Sequence, residues 1–579
     1  MIKRSSLAIA VAASLSGCAT YSSDSPIAAI DLTPSARPAI APTGAVSSAD
    51  FRANAAGEAI LAQGGSATDA AIAVMLALTV VEPQSSGIGG GGFMVRAEGE
   101  SGDVTTYDGR ETAPASATGT RFLDAEGERL PRETRILSGL SVGVPGNLAL
   151  AAKAHAASGK LPWADLFRPA IALARDGFVM NKRLHGSIES RKDRAGKTAE
   201  ARAVYFGSDG EVLPVGTRIT VPALAQSLEL FAQAGPDAFY VTGAAALAEY
   251  VAGETPQDGK MAVADVQSYT AKLRDPVCGL YRGYTVCGMG PPSSGGVAVV
   301  QMLGQLERFD LAALGPDSPV FWHLFLESQR VAYADRELYI GDSDFVSVPV
   351  TGLVQPDYIA SRSNLISAEQ TIANPQPGTP PGAPLARADG DEPAENGTSH
   401  FAVVDGQGNA ISYTSTIEGA FGSGLFHRGF YLNNELTDFS LTPERDGKPV
   451  ANRVEGGKRP RSSMAPTIVL DPEGKVYLVV GAAGGPTIPV QTARAIIGVI
   501  DFGLSANEAI GLPFIMGFGA AAVIERDSAL EAMRDDLAGL GHGQIRAFSP
   551  PLKANALLRT ADGWEVAMDP RIAPMLATE

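Results

Sequence analysis

Residues 374–397 begin Asn-Pro-Gln-Pro-Gly-Thr-Pro-Pro-Gly-Ala-Pro and end Asp-Gly-Asp-Glu-Pro-Ala-Glu-Asn-Gly. Proline locks φ and has no N–H to donate, so this stretch forms neither a helix nor an interior strand. It stops abruptly at Thr398, where Thr398-Ser399-His400-Phe401-Ala402-Val403-Val404 begins a strand pattern. A threonine at such a junction admits one particular chemistry. Its hydroxyl is a weak nucleophile that needs an adjacent base, and one solution is the threonine's own α-amine, freed by cutting the preceding peptide bond. With a pKa of about 7.7–8.0, that amine is partly neutral near pH 7. The small Gly397, the exposed linker and the strand that follows supply the context this chemistry requires. The plain alternative is a linker-to-strand junction with no chemistry.

The rest of the 579-residue chain is 45% apolar and 19% charged, enough to bury a large core. Its length predicts two or more packed units. A net charge of −17 excludes a protein that tracks nucleic-acid phosphates. Three cysteines exclude a disulfide scaffold and a Cys₄ metal site. His155, His185, His323, His400, His427 and His542 show no metal-ligand spacing, so each reads as structural and no metal is expected.

Lys3, Arg4, the apolar run Leu7 to Leu15 and the ending Leu15-Ser16-Gly17-Cys18 read as a lipoprotein signal peptide over residues 1–17. Cys18 then becomes the lipidated first residue and the only membrane link; the alternative is an ordinary secretory peptide. No later run reaches the 18 apolar residues a spanning helix needs. Residues 18–48, rich in Ala, Pro, Ser and Thr, predict a flexible tether. A periplasmic, lipid-anchored location follows.

Helices are predicted over residues 50–63 and, capped by Ser66 or Thr68, on to Val81. Further helical patterns span 144–158, 164–176, 221–234 and 295–308, and strand patterns span 93–96, 401–416 and 475–481. Gly87-x-Gly89-x-x-Gly92 matches the dinucleotide fingerprint in letters, but a helix precedes it and a strand follows, the reverse of what that mechanism needs. It reads as a loop that another backbone passes closely. Gly139-Leu140-Ser141-Val142-Gly143 matches a serine-hydrolase elbow, yet no alternating βαβ pattern surrounds it.

Longer motifs carry more. Thr398 to Asp405, Gly408-Asn409-Ala410, Thr416, Phe421-Gly422, Leu432-Asn433-Asn434, Asp438-Phe439-Ser440 and Lys458 to Thr467 resemble the small subunit of γ-glutamyltransferases. Glu82-Pro83, the glycine run to Phe93, Asp108 to Pro114, Val144-Pro145-Gly146 and Pro291 to Gly296 are similar to the large subunit, in the family's order. The resemblance runs from about 49 to 500, with an Asp569-Pro570-Arg571 echo. It implies an α+β fold, the N-terminal-nucleophile hydrolase αββα four-layer sandwich, built from two subunits of one autocleaved precursor: a large subunit 49–397 and a small catalytic subunit 398–579. Cleavage would fall between Gly397 and Thr398, with Thr398 as nucleophile and Thr416 orienting it. Arg110, Ser462 and Ser463 would hold the substrate α-carboxylate and Asp438 its α-ammonium. The Gly484 and Gly485 amides would form the oxyanion hole. No cofactor is implied.

Three departures bear on substrate. Glu418 stands where many members carry Asn, adding a carboxylate to the substrate site. Residues 440–458 contain no Tyr or Trp to serve as an aromatic lid, and the sequence after Gly511 leaves the family pattern. The expected activity is cleavage of γ-glutamyl amides such as glutathione through a threonine acyl-enzyme, with transfer to water or an amine. The rivals are an acylase acting on glutaryl-type or poly-γ-glutamate substrates, and a non-catalytic envelope binding protein. Finally, Val277 to Cys287 reads as a hairpin turning at Arg282-Gly283, which sets Cys278 opposite Cys287 in a non-hydrogen-bonded pair. A disulfide is expected there, the alternative being two buried thiols.

Overall fold

The alternation that begins at Thr398 decides which side chains fill the space between two facing antiparallel sheets. The computed structural model describes residues 40–41, 44–384, 387–389, 397–518, 521–549 and 552–579. One sheet runs Ala45–Ser48, Gly397–Val404, Ala410–Glu418, Gly91–Ala97, Val104–Asp108, Lys272–Arg274. The other runs Ile40–Ala41, Gly563–Met568, Lys553–Thr560, Val476–Ala483, Thr467–Leu470, Tyr284–Gly288, Val277–Tyr281. Phe401 and Val403 pack with the helical layer outside the first sheet, while Ala402 and Val404 pack inward with Ile468 and Val480. Helices Phe51–Ala62, Ala67–Val81 and Asn147–Ser158 cover the first sheet, and Gly295–Leu306 and Ile488–Ile500 cover the second. The result is the expected αββα four-layer sandwich.

Every residue of Ala67–Val81 is buried, and Ser66 starts the helix through a reciprocal capping box with Asp69. This helix lies under the Thr398 strand and the strand that hairpins from it. The 401–416 strand pattern is that hairpin: Asp405 turns the chain by accepting from the Gln407 and Asn409 amides.

The reading of 18–48 as a tether needs correction at its end. Residues 1–39, including the signal peptide and Cys18, lie outside the described residues. Residues 45–48, however, form an edge strand against 401–404, and residues 40–41 pair with 564–565. Small side chains fit between the sheets: the Ser47 hydroxyl is fully buried and donates to the Ala567 carbonyl at 2.6 Å.

The glycine run 87–92 is the close backbone passage its sequence suggests. A Cβ on Gly90 would lie 2.0 Å from the Thr416 carbonyl oxygen, so the run lets the chain pass directly beside the Thr416 strand. Ser141 is buried and donates to the Ile136 and Ser138 carbonyls, which makes it a turn residue and not a nucleophile. The 277–288 hairpin turns through Arg282 and Gly283, both in the left-handed region, and Cys278 and Cys287 are disulfide-bonded across it.

Beyond Gly511 the chain builds a small three-stranded sheet, Ile515–Phe518, Ala521–Glu525 and Ile545–Phe548, beside helix Pro319–Tyr339. His542 and His323 meet there, ring nitrogens 2.7 Å apart. Among the described residues, no helix is long and apolar enough to cross a membrane.

Candidate active site

Thr398 sits at the second position of its strand and is 6% exposed. Its hydroxyl turns back on the peptide bond in front of it: Oγ1 lies 2.5 Å from the Gly397 carbonyl oxygen and donates to it. Thr416, on the hairpin partner, donates to the same oxygen at 2.6 Å, and its Oγ1 lies 3.4 Å from that of Thr398. The Thr416 hydroxyl in turn accepts the Glu418 amide at 2.8 Å. Its proton is thereby aimed at the carbonyl that precedes Thr398, the bond that self-cleavage would break.

The same geometry explains the glycine before the threonine. The ladder shifts register between Gly397 and Ser399, and a Cβ at 397 would lie 2.4 Å from the Glu418 carbonyl oxygen. Gly397→Ala is therefore expected to push this carbonyl off the Thr416 hydroxyl. Cutting of the chain, followed on denaturing gels over hours, should slow at least about 10-fold, and normal cutting would show that the contact is dispensable.

His400 is the histidine nearest in sequence to Thr398. It is fully buried, bonded through Nδ1 to the Thr414 hydroxyl, and burial drives its pKa down to about 3. It is a neutral structural residue, which leaves the threonine's own amine as the natural base.

Glu418 adopts a left-handed backbone, φ 70°, and its carboxylate accepts from the Asn434 amide. Asn434 also accepts the Gly419 amide at 2.9 Å, so it fixes the end of the Thr416 strand. Neither the charge nor the backbone of Glu418 is left to wander.

Arg110 and Asp438, expected to hold the α-carboxylate and the α-ammonium of a substrate, are bonded to each other. The fully buried Arg110 guanidinium donates to Asp438 Oδ2 at 2.5 Å, to Glu435, and to the Pro460 and Arg461 carbonyls at 3.2 and 2.8 Å. Its own carbonyl accepts the Tyr269 hydroxyl at 2.8 Å. Ser462 and Ser463 continue the segment that contacts Arg110, but their hydroxyls are engaged elsewhere: Ser462 Oγ accepts the Met464 amide and Ser463 Oγ accepts from Arg336 at 2.6 Å. Gly484 and Gly485 are buried, both in the left-handed region, at the end of the strand whose Gly481 lies against the His400 ring.

Sequence reasoning missed Glu111 and Glu435. Burial raises the Glu111 pKa to about 7, and burial also holds the Asp438 carboxyl well above its ordinary range, against the pull of Arg110. Glu111, Glu435 and Asp438 act on one another in a single buried acid cluster, which holds protons more readily than separate exposed carboxyls would. The neutral form of Glu111 favours folding. Its contribution is complete below pH 4.5 and is lost as pH rises through about 7. Glu111→Gln, neutral throughout, should retain up to about 3 kcal/mol that the wild type loses between those values, read from urea midpoints. Parallel pH curves for the two proteins would refute this.

A strand-leading threonine poised against the peptide bond before it, inside an αββα sandwich, is the arrangement of the N-terminal-nucleophile hydrolases. The sequence profile of the family Gamma-glutamyltranspeptidase matches residues 53–576. A glutathione hydrolase proenzyme from Bacillus subtilis is 37% identical over 509 residues, 86% of this chain and 85% of that protein. An Acylase ACY 1 proenzyme from Pseudomonas is 36% identical over 547 residues, 92% of this chain and 93% of that protein. The crystal structure of a cephalosporin acylase from Bacillus halodurans superposes with a TM-score of 0.80 at 26% identity, covering 93% of this chain and 96% of that one. The chain belongs to the gamma-glutamyltranspeptidase family.

Proposed function

We propose that Thr398 first cuts the chain at Gly397–Thr398 and then cleaves γ-glutamyl amides such as glutathione, passing the acyl group to water or an amine. The observation that carries this reading is the pair of hydroxyls, Thr398 at 2.5 Å and Thr416 at 2.6 Å, on the one Gly397 carbonyl oxygen. Thr416 polarises the carbonyl and Thr398 Oγ attacks its carbon. As the C–N bond breaks, the acyl group moves to oxygen and the amine takes a proton. Water then hydrolyses the ester, releasing the 397 carboxylate and a free Thr398 amine.

In the cut enzyme that amine accepts the hydroxyl proton while Oγ attacks the substrate γ-carbonyl, and the departing amine takes the proton away. The Gly484 and Gly485 amides stabilise the developing oxyanion, and the Asp438 carboxylate and Arg110 guanidinium serve the α-ammonium and α-carboxylate. A donor bearing both charges can take the place of each partner in the resting Arg110–Asp438 pair. The large and small fragments of the precursor remain together as one enzyme. Export, with a lipid anchor on Cys18, is part of the proposal and rests on the N-terminal sequence alone.

The second reading, an acylase for glutaryl-type side chains, is favoured by the coverage of the acylase relative. Release of p-nitroaniline from γ-glutamyl and glutaryl anilides, with and without a dipeptide acceptor, decides between them. Faster γ-glutamyl turnover supports the first reading, faster glutaryl turnover the second, and turnover of neither removes both.

A further inference from the structure

From Ala483, the last residue of its strand, to Pro486, just ahead of helix Ile488–Ile500, every carbonyl is occupied. Ala483 accepts the Gln491 side-chain amide at 2.8 Å, and Gly484 accepts the Thr487 hydroxyl at 2.9 Å. Gly485 accepts the Ile488 amide, and Pro486 accepts the Tyr333 hydroxyl. Gln491, fully buried, also donates to the Thr487 hydroxyl at 2.8 Å, so one side chain steadies two of these four bonds. Its amide sits one way round only, since its oxygen would otherwise face the Ala483 carbonyl oxygen.

The amides of the two glycines are the opposite case. Among the described residues, neither the Gly484 nor the Gly485 N–H donates to an acceptor. In a trans peptide, the C=O of one residue and the N–H of the next point opposite ways in one plane. The Gln491 bond to Ala483 therefore sets the direction of the Gly484 N–H, and the Thr487 bond to Gly484 sets that of the Gly485 N–H. Both N–H groups are turned away from the side chains that hold the carbonyls. A donor on the carbonyl also polarises its peptide and strengthens the N–H as a donor. The glycines do not aim themselves: both lie in the left-handed region and have no side chain to restrict them.

We propose that Gln491 and Thr487 are positioning residues for acyl transfer. They hold the Ala483–Gly484 and Gly484–Gly485 peptide planes so that both N–H groups meet the oxyanion formed when Thr398 Oγ attacks. Both act through the backbone and not on the substrate. The inference rests on the Thr398 chemistry and the oxyanion hole proposed above.

The test uses Gln491→Met and Thr487→Val, which keep the bulk of the side chain and remove its donor, with Thr487→Ser as the variant that keeps the hydroxyl. Turnover of whichever p-nitroanilide the wild type cleaves faster, γ-glutamyl or glutaryl, is counted per cut chain. Misdirected oxyanion donors should lower kcat and kcat/KM together, by about 10- to 100-fold in Gln491→Met and in Thr487→Val, and Thr487→Ser should recover most of the loss. A boronic acid of the same acyl chain, with boron in place of the scissile carbonyl carbon, adds Thr398 Oγ and carries the tetrahedral anion. Its Ki should rise by the same factor. Loosened folding would lower kcat through the active fraction and leave that Ki unchanged, which overturns the proposal. A Thr487→Ser as slow as Thr487→Val, a rise in KM alone, or unchanged kinetics overturns it equally. Should Gln491→Met fail to fold, the two Thr487 variants decide. A wild type that cleaves neither anilide removes this inference together with the Thr398 reading. An active wild type whose variants match it removes this inference alone.

Discussion

Thr398→Ala is expected to give one uncut chain that folds, stays whole and turns over nothing. The substitution removes a hydroxyl and a methyl from a strand whose ladder is made by backbone groups, so the sandwich should form. It also removes the hydroxyl placed against the Gly397 carbonyl, and Thr416, which donates to the oxygen of that carbonyl, has no attack left to assist. Processing and catalysis use the same hydroxyl and should disappear together, turnover by at least about 10⁴-fold. The wild type, scaled from 59.8 kDa over 579 residues, should run as fragments of about 39 and about 19 kDa if it begins at Cys18. Mass spectrometry of the smaller one should start at Thr398. An active wild type that remains a single chain would end this mechanism, as would a cut and active Thr398→Ala.

What could be read from the sequence divides by distance along the chain. The hairpin at Arg282-Gly283 and its disulfide are local, so turn chemistry and register counting suffice to find them. The strand that opens at Gly397-Thr398 was legible because a proline-rich stretch and an alternating one meet there in consecutive residues. The helix start was legible for the same reason, though the sequence left its cap open between Ser66 and Thr68 and the structure gives Ser66. The strand 45–48 was not: Ala-Val-Ser-Ser has no strong alternation, and its partner 401–404 lies some 350 residues away. The Arg110–Glu435 and Arg110–Asp438 pairs span 325 and 328 residues, and an ion pair of that reach leaves no periodic trace. The motif resemblance named Arg110 and Asp438 but as substrate ligands, since a motif carries a residue's role and not its resting partner. The small sheet after Gly511 was opaque because its parallel pairing joins 522–525 to 545–548 across an intervening helix.

Arg110→Ala should be the most destabilising single change in the site. It leaves Glu435 and Asp438 buried beside Glu111 with their shared cation gone, and removing one partner of a buried ion pair costs about 3–5 kcal/mol. The pairs also join the two sides of the proposed cut, Arg110 before it and both acids after it, so the loss should loosen the association of the fragments. To separate folding from processing, the change is best made in the uncut Thr398→Ala chain, where the urea midpoint reports stability alone. Burial already raises the pKa of Asp438 and Glu111; without the guanidinium they should rise further. The neutral acids are then the form that folds, so the defect should be mildest below pH 4.5 and deepen as pH rises past 7. Arg110→Lys should recover only part of the loss, because an ammonium lacks the planar fork that serves two carboxylates and two carbonyls at once. In the processing-competent chain, γ-glutamyl turnover should fall with stability in Arg110→Ala and partly return in Arg110→Lys. A midpoint that neither substitution moves at any pH would show that the acid cluster does not depend on Arg110.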